Sequence, residues 1–427
     1  MRPHIGHLLL LTALALLALP AATAGAAPGD RVWVGLVHAN AGKIVSPYWH
    51  EAIAVARSGD VYVAGSQATA AFEDEDFLVA RYGADGTHKW TKTYDHGRSE
   101  VVTDVAVDRD GNVVVCGRED GYDGFLVVKL SRSGAFKWAR RIRTEPGLNG
   151  AEEIAIDKLG SIYVVGTDRS DLCLVKYTPS GRRLWTRTYA KAEICSELAL
   201  GPDGRLYVGM GMPEIQPDGK VIVACYTTDG KRVWLRAIGT PGDTSDWIMD
   251  LDVRRSGVCG TGQSSLEGST EGFVFRLRLD GTTKYWHHAD GSDGAPSASF
   301  QGCGMDSQGR VSVAGWSGND YVVRRFGSSG TLLNHSAWHG TQTNAVAQAI
   351  VVTDSGCAYA TGRVKNVRSR EDMLTVGLGP AWEELFTVPY RTVTETDDEG
   401  GAIALGSGCV YVAGHSDGDL ALIKYER

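Results

Sequence analysis

From Glu51 onward the chain alternates apolar and polar positions in short runs punctuated by glycine. In EAIAVARSGDVYVAG, Ile53 and Val55 share one face before the turn at Gly59, and Val61 and Val63 share one after it. A period of two over four to eight residues marks a strand with one half-buried face, and a glycine between two such runs marks a tight hairpin. Few stretches carry the 3.6-residue period of a long helix. The pattern predicts an all-β chain built of hairpins.

The hairpins repeat. EAIAVARSGDVYVAG from Glu51 returns as VTDVAVDRDGNVVVCG from Val102, EEIAIDKLGSIYVVG from Glu152 and SELALGPDGRLYVG from Ser196. Weaker copies start at Met249, Gln301, Gln348 and Gly400, which makes eight. A second hairpin follows each copy, with a tryptophan four residues beyond its turn glycine: DFLVARYGADGTHKW from Asp76, GFLVVKLSRSGAFKW from Gly124, DLCLVKYTPSGRRLW from Asp171 and VIVACYTTDGKRVW from Val221. The copy from Gly272 has Tyr285 there with Trp286 beside it, and those from Tyr321 and Met373 (MLTVGLGPAW) are degraded. The eighth, DLALIKYER from Asp419, stops before its tryptophan strand. That strand is supplied from the other end of the chain, where Trp33 follows Gly29 at the same spacing.

Four strands per unit, at roughly 45 to 50 residues, match the blade of a β-propeller. The expectation is one closed β-propeller over 29–427, with eight four-stranded blades and the N-terminal strand completing the last; a seven-bladed ring is the alternative. Completing the last blade this way removes a sheet edge that would otherwise recruit other chains. No blade can bury both faces alone, so stability is a sum of blade and neighbour-interface terms. Trp33, Trp90, Trp138, Trp185 and Trp234 read as packing between blades.

Residues 1–26 read as a cleaved secretory signal: Arg2, the apolar run Leu8 to Leu19, then Pro20 and small residues at Ala22, Ala24 and Ala26. The apolar run is shorter than the roughly 20 residues of a membrane-spanning helix. The expectation is a secreted protein, extracellular or periplasmic, with no membrane span and a monomeric state. The formal charge of −8 comes with no basic block, which argues against nucleic acid as a partner. Of the eight cysteines, Cys116, Cys173, Cys225, Cys259 and Cys303 replace strand residues that are apolar in other repeats, so they read as small core residues. Cys259 and Cys303, on neighbouring repeats, are the pair to examine for a bond.

The motifs VAVDRDGNVVVCG from Val105 and DFLVARYGADG from Asp76 resemble the bacterial secreted β-propeller repeats abbreviated SBBP, whose units look like IAVDSSGNVYVTG followed by DAFVAKLDSSG. This resemblance covers nearly the whole mature chain and implies a fold, not a reaction. YTTDGKRVW from Tyr226 and YTPSGRRLW from Tyr177 are similar to the tryptophan-docking repeats of quinoprotein dehydrogenases, which use pyrroloquinoline quinone with calcium. Many of those have adjacent cysteines over the cofactor, which this chain lacks. The same hairpin resembles the sialidase Asp-box, but Asp229 and Gly230 are adjacent where the box places one residue between them.

In such a ring the short turns lie on one face. The other carries the variable loops, including Gln67–Asp76, Gly211–Lys220, Arg363–Asp372 and the segment His38–Tyr48. Rigid scaffolds usually bind through such loops. Seven residues before the first turn glycine, successive repeats place Asp104, Glu153, Glu197 and Asp250, with Glu51 offset by one and Gly302, Ala349 and Gly401 in the last three. These acids should converge on one mouth of the central channel, as a ligand site for a cation such as Ca2+ or a cationic group, or as caps on local backbone. Crowding would raise their pKa values. Acids that open third strands (Asp76, Asp123, Asp171, Glu271, Asp320, Asp372, Asp419) and bases near their ends (Arg81, Lys129, Lys176, Arg276, Arg324, Lys424) recur too often to mark one site. His287 and His288 with Asp290 and Asp293 form a candidate polar or metal loop, and Tyr48, Trp49, Trp316 and Trp338 are candidate exposed aromatics. H-E-x-x-H, G-x-S-x-G and C-x-x-C motifs are absent. The sequence therefore predicts a non-enzymatic binding or scaffold module for a protein or glycan, without a cofactor beyond the possible Ca2+. A secreted hydrolase, lyase or quinoprotein-like enzyme with an unrecognised site on the same face is the alternative.

Overall fold

A computed structural model of the chain describes residues 27–427 apart from 42, 47–50, 70–73, 120–123, 144–149, 169–170, 190–193, 212–220, 240–244, 267–268, 290–296, 340–344, 366–369 and 393–396. The predicted leader, Tyr48, Trp49, Asp123, Asp290, Asp293 and parts of the variable loops lie outside the described residues.

Eight antiparallel sheets follow one another along the chain. Blade two is typical, with strands Glu100–Val107, Val113–Glu119, Gly124–Leu130 and Phe136–Arg143 running from the inner edge outward. The inner strands of blades three to eight are Gly150–Ile156, Ile194–Leu200, Ser245–Arg254, Ala298–Met305, Val346–Val352 and Asp398–Leu405. Blade one has its inner strand in two pieces, Lys43–Val45 and Ala52–Val55, both paired with Val61–Thr69. The last blade is completed as expected: Arg31–Val37 pairs antiparallel with Asp419–Glu426, with Val34 opposite Ile423.

Apolar clusters lie mainly between sheets, with Val61, Val63 and Leu78 of blade one buried against Tyr411, Ala413 and Leu422 of blade eight. The tryptophans do what the repeat implied. Each lies over the turn glycine of the next blade, Trp33 over Gly86, Trp90 over Gly134, Trp138 over Gly181, Trp185 over Gly230 and Trp234 over Gly281; a Cβ on Gly86 would stand 2.7 Å from the Trp33 ring. The Trp90 and Trp234 indole N–H groups also donate to a carbonyl in the same turn, at 2.9 Å to Arg132 and 3.0 Å to Leu279.

The recurring bases have the same task. Arg81 donates to the Arg132 carbonyl at 2.6 Å, Lys176 to Thr228 at 2.8 Å, Arg276 to Ser328 at 2.8 Å and Lys424 to Ala84 at 3.0 Å, each reaching the outer turn of the next blade. In blade six this base is Arg325, which donates to Pro380 at 3.0 Å, and not its neighbour Arg324. Strand register decides this, because Arg325 stands five residues after Asp320, as Arg81 does after Asp76.

One interface inverts the rule. Trp382 is not a displaced strand tryptophan: it occupies the turn position filled by glycine elsewhere, with φ of 72°, and its N–H bonds the Gly379 carbonyl. Blade six has Asn334 where the packing tryptophan belongs. The Trp382 ring reaches back instead, donating to Ser336 at 2.9 Å beneath the Arg325 guanidinium, 4.5 Å from the ring centre. Phe386 takes the tryptophan role in blade seven and lies against Gly29.

Cys116, Cys173, Cys225, Cys259, Cys303, Cys357 and Cys409 are unbonded, and all but Cys357 are buried. Cys259 and Cys303 face each other across blades five and six with sulfurs 3.8 Å apart. Burial pushes both thiols above their ordinary value.

Candidate functional site

The inner strands of blades two to eight are each bent near their start by a β-bulge, a device that re-aims the side chains around it. The bulge falls between Val102 and Asp104, Ala151 and Glu153, Ile248 and Asp250, Phe300 and Gly302, Ala347 and Ala349, and Gly400 and Ala402. In blade four it comes one residue earlier, between Ile194 and Ser196, and still leaves Glu197 in register. Asp104, Glu153, Glu197 and Asp250 are therefore structural equivalents, and the same position holds Ala52, Gly302, Ala349 and Ala402 in the other blades. Counting back from the turn glycine had placed Gly401 here for blade eight; a first turn shorter by one residue shifts the register, and Ala402 stands there. Gly401 and Glu51 occupy the bulge position instead, where the missing side chain of Gly401 leaves space for the Glu51 carboxylate.

The four predicted acids do converge. They line one cavity of about 630 Å³ at the channel mouth, together with Glu51, Glu152, Met249, Gln301, Gln348, Arg363, Glu399 and His415. This mouth opens on the face of the variable connections, because the inner strands start there.

The cavity has two unlike halves. On the side of blades seven, eight and one, charges are matched: Arg363 pairs with Glu399 at 2.7 Å, Gln348 donates to the same carboxylate at 2.7 Å, and His415 Nδ1 lies 3.3 Å from Glu51. Burial works against the His415 imidazolium, but the Glu51, Glu399 and Asp398 carboxylates outweigh it and hold its pKa above the ordinary value. On the side of blades two to five the lining carries Asp104, Glu152, Glu153, Glu197 and Asp250 and no basic residue.

These acids divide into two kinds. Asp104 accepts its neighbour Val105 N–H at 2.7 Å and the Ile154 N–H of blade three at 2.9 Å. Asp250 repeats the arrangement with Leu251 and with Cys303 of blade six, both at 2.7 Å, and Asp252 adds the Met305 N–H at 2.8 Å. Asp104 and Asp250 thus staple adjacent inner strands, each satisfying an amide that the ring would otherwise leave bare. Glu153 hydrogen-bonds Asp104. Among the described residues no basic side chain forms an ion pair with Glu153 or Glu197.

Electrostatics follow from that crowding. Removal from bulk water raises all four acids, and mutual repulsion adds to it for the two glutamates. Asp104 rises to about 6 and Asp250 to about 7, restrained by the amides they accept, while Glu153 and Glu197 go well above the ordinary carboxylate range. Glu152 is raised too, by burial, with Arg118 pulling the other way. A cationic group entering this half would relieve a repulsion already built in.

A bare metal ion fits less well. The arc does not bring three ligand oxygens within 4.8 Å of one another, whereas Asp76, Asp95 and Glu100, between blades one and two, do. The other candidates disperse: His288 lies 3.5 Å from Glu271, His287 stacks on Tyr285, and Trp338 packs edge-on against Tyr321 while donating to Thr387 at 3.2 Å. Sequence reasoning missed Glu152, Arg363, Glu399 and His415. Glu152 was readable as the neighbour of a repeat acid; the other three stand at positions where the repeats vary.

No family model matches the chain, and no curated protein matches it. Among solved structures it is similar to Sqt1 from Chaetomium thermophilum, with a TM-score of 0.58 at 12% identity over 92% of this chain and 100% of that one. It is also similar to a puromycin hydrolase variant complexed with PGG, with a TM-score of 0.50 at 12% identity over 87% of this chain, and it spans 59% of that chain. The β-propeller domain of the Trilobed protease from Pyrococcus furiosus aligns with a TM-score of 0.45 at 8% identity, over 79% of this chain and 96% of that one. At these identities the likeness shows the fold alone: the chain is an eight-bladed β-propeller.

Proposed function

We propose that this protein is an exported, non-catalytic binding propeller whose channel mouth and surrounding loops hold a partner, protein or glycan-bearing, through a cationic group seated in the acidic half of the cavity. One observation carries the reading: Glu152, Glu153 and Glu197 face the same cavity from adjacent blades without a basic residue on their side of the lining. A lysine, arginine or polyamine nitrogen suits this half better than a small ion, since the oxygens are too spread for close coordination. Asp104 and Asp250 are already committed to backbone amides and act as scaffold.

A site for general acid–base chemistry also uses carboxyls with raised pKa, as a secreted hydrolase or lyase would. Binding is favoured because the acids recur by blade around the axis, and the Thr103 hydroxyl, which stands beside them in the lining, donates to the Ala151 carbonyl at 2.9 Å and not to a carboxylate.

The test is calorimetric titration of spermine and of a lysine-rich peptide into the full chain and into the Glu153→Gln/Glu197→Gln variant. The expected result is binding by the native chain that weakens at least tenfold in the variant and with added salt. Equal binding by both chains, or none by either, overturns the reading.

A further inference from the structure

We propose a divalent cation site, of the Ca2+ type, between blades one and two on the loop face, formed by Asp76, Asp95 and Glu100. It is separate from the channel mouth and does not depend on the function proposed there.

Three different elements supply the ligands. Asp76 opens the third strand of blade one, Asp95 follows the fourth strand, His88–Tyr94, and Glu100 is the first residue of blade two. One carboxylate oxygen from each lies within 4.8 Å of the other two. Opposite ligands of a Ca2+ ion at 2.3–2.6 Å stand about this far apart, and the ion takes such oxygens in flexible geometry.

Glu100 is the reason to expect a ligand. It is 0% exposed, and neither carboxylate oxygen has a hydrogen-bond partner. Asp76 is 2% exposed, and its Oδ1 is likewise unpartnered. The nearby cations are already committed. Lys43 lies 2.5 Å from the other Asp76 oxygen, Oδ2, which also accepts Gln67 at 3.0 Å. Arg141 and Arg98 both go to Glu119, which stands directly opposite Glu100 in the strand register. Asp95 is exposed, holds the Gly97 N–H at 2.7 Å and gives the site an open side for water.

An uncompensated buried carboxylate costs several kcal/mol, so such a group either takes a proton or finds a cation. Burial, then Glu119, Asp76 and Asp95, push the Glu100 carboxyl up to about 8, with the His96 amide offsetting part of the rise without an aligned bond. A doubly charged ion reverses that balance and ties the connection between the two blades to both sheets.

Calcium chloride titrated calorimetrically into the chelator-stripped full chain, up to about ten times the 10⁻⁴–10⁻³ M constants of weak Ca2+ modules, tests this. Terbium emission excited through Tyr94 gives a second readout. One ion per chain is expected, weakened at least tenfold by Glu100→Gln and unchanged by Glu153→Gln/Glu197→Gln. If Glu100→Gln does not fold, the exposed Asp95→Asn carries the same expectation. Absence of binding in the native chain shows that Glu100 is simply protonated and overturns the proposal, as does native-like affinity in the Glu100 and Asp95 variants. Loss in the mouth variant instead would assign the ion to the channel.

Discussion

Lys424, three residues from the C-terminus, donates to the carbonyl of Ala84 in the first blade at 3.0 Å, and Trp33 lies over Gly86 in the same turn. The junction where the two chain ends meet is thus built with the same base-to-carbonyl and ring-to-glycine contacts as the internal interfaces. It adds only the pairing of Arg31–Val37 with Asp419–Glu426.

Replacing Lys424 by methionine keeps an unbranched apolar stem but removes the charged donor, which also stands 5.8 Å from the centre of the Tyr411 ring. A hydrogen bond to a charged group contributes about 1.5–3 kcal/mol, and this one is half-buried, so a loss of about 1 kcal/mol in urea unfolding is expected. Removing residues 27–37 should do far more, exposing a bare edge along Asp419–Glu426 and producing oligomers on size-exclusion chromatography. A truncated chain that stayed monomeric with native stability would show that the latch is dispensable.

The inverted interface between blades six and seven gives a reciprocal test. Trp382→Gly relieves a positive φ but empties the space under Arg325, and loss of a packed tryptophan outweighs about 1–3 kcal/mol of backbone strain. Asn334→Trp alone should collide with the Trp382 ring. The double variant rebuilds the arrangement of Trp90 over Gly134, so its stability should exceed the sum of the two single changes by at least about 1 kcal/mol. Strict additivity in chemical denaturation would show that the two positions do not share one space.

The crowded acids predict a pH dependence of definite sign. Groups whose folded pKa is raised bind more protons folded than unfolded between the ordinary carboxylate range and the folded value. For Asp104 and Asp250 that window runs from about pH 4 to about 6–7, and Glu153 and Glu197 extend it upward. Stability should therefore fall as pH rises through it. His415 acts in the same direction, because its stabilising pair with Glu51 is lost as pH rises through its elevated pKa. Glu153→Gln/Glu197→Gln should flatten the slope of unfolding free energy against pH from 5 to 8 and raise stability at the upper end. An unchanged slope would place the titration elsewhere.

The repeat was legible because it is local. Strand alternation, turn glycines and the four-residue step to tryptophan are properties of contiguous residues, and closure followed from counting one strand short at Glu426 and one over at Trp33. Eight blades, the completed last blade and the role of Trp90, Trp138, Trp185 and Trp234 all follow from that arithmetic. The acids Asp104, Glu153, Glu197 and Asp250 were legible for the same reason, as one position seen four times.

Tertiary structure alone decided what those side chains touch. A spacing cannot show that Asp104 accepts an amide from the next blade while Glu197 faces open cavity, because the partner depends on how two sheets stagger. Nor can it show that Trp382 stands at the turn position that glycine fills in other blades, since a shift of four residues in a degraded repeat looks the same as a lost motif. His415 meets Glu51 across 364 residues of sequence, and Asp76, Asp95 and Glu100 come together from two blades. Such groups interact through space once the ring has closed, and their order along the chain carries no trace of the distance between them.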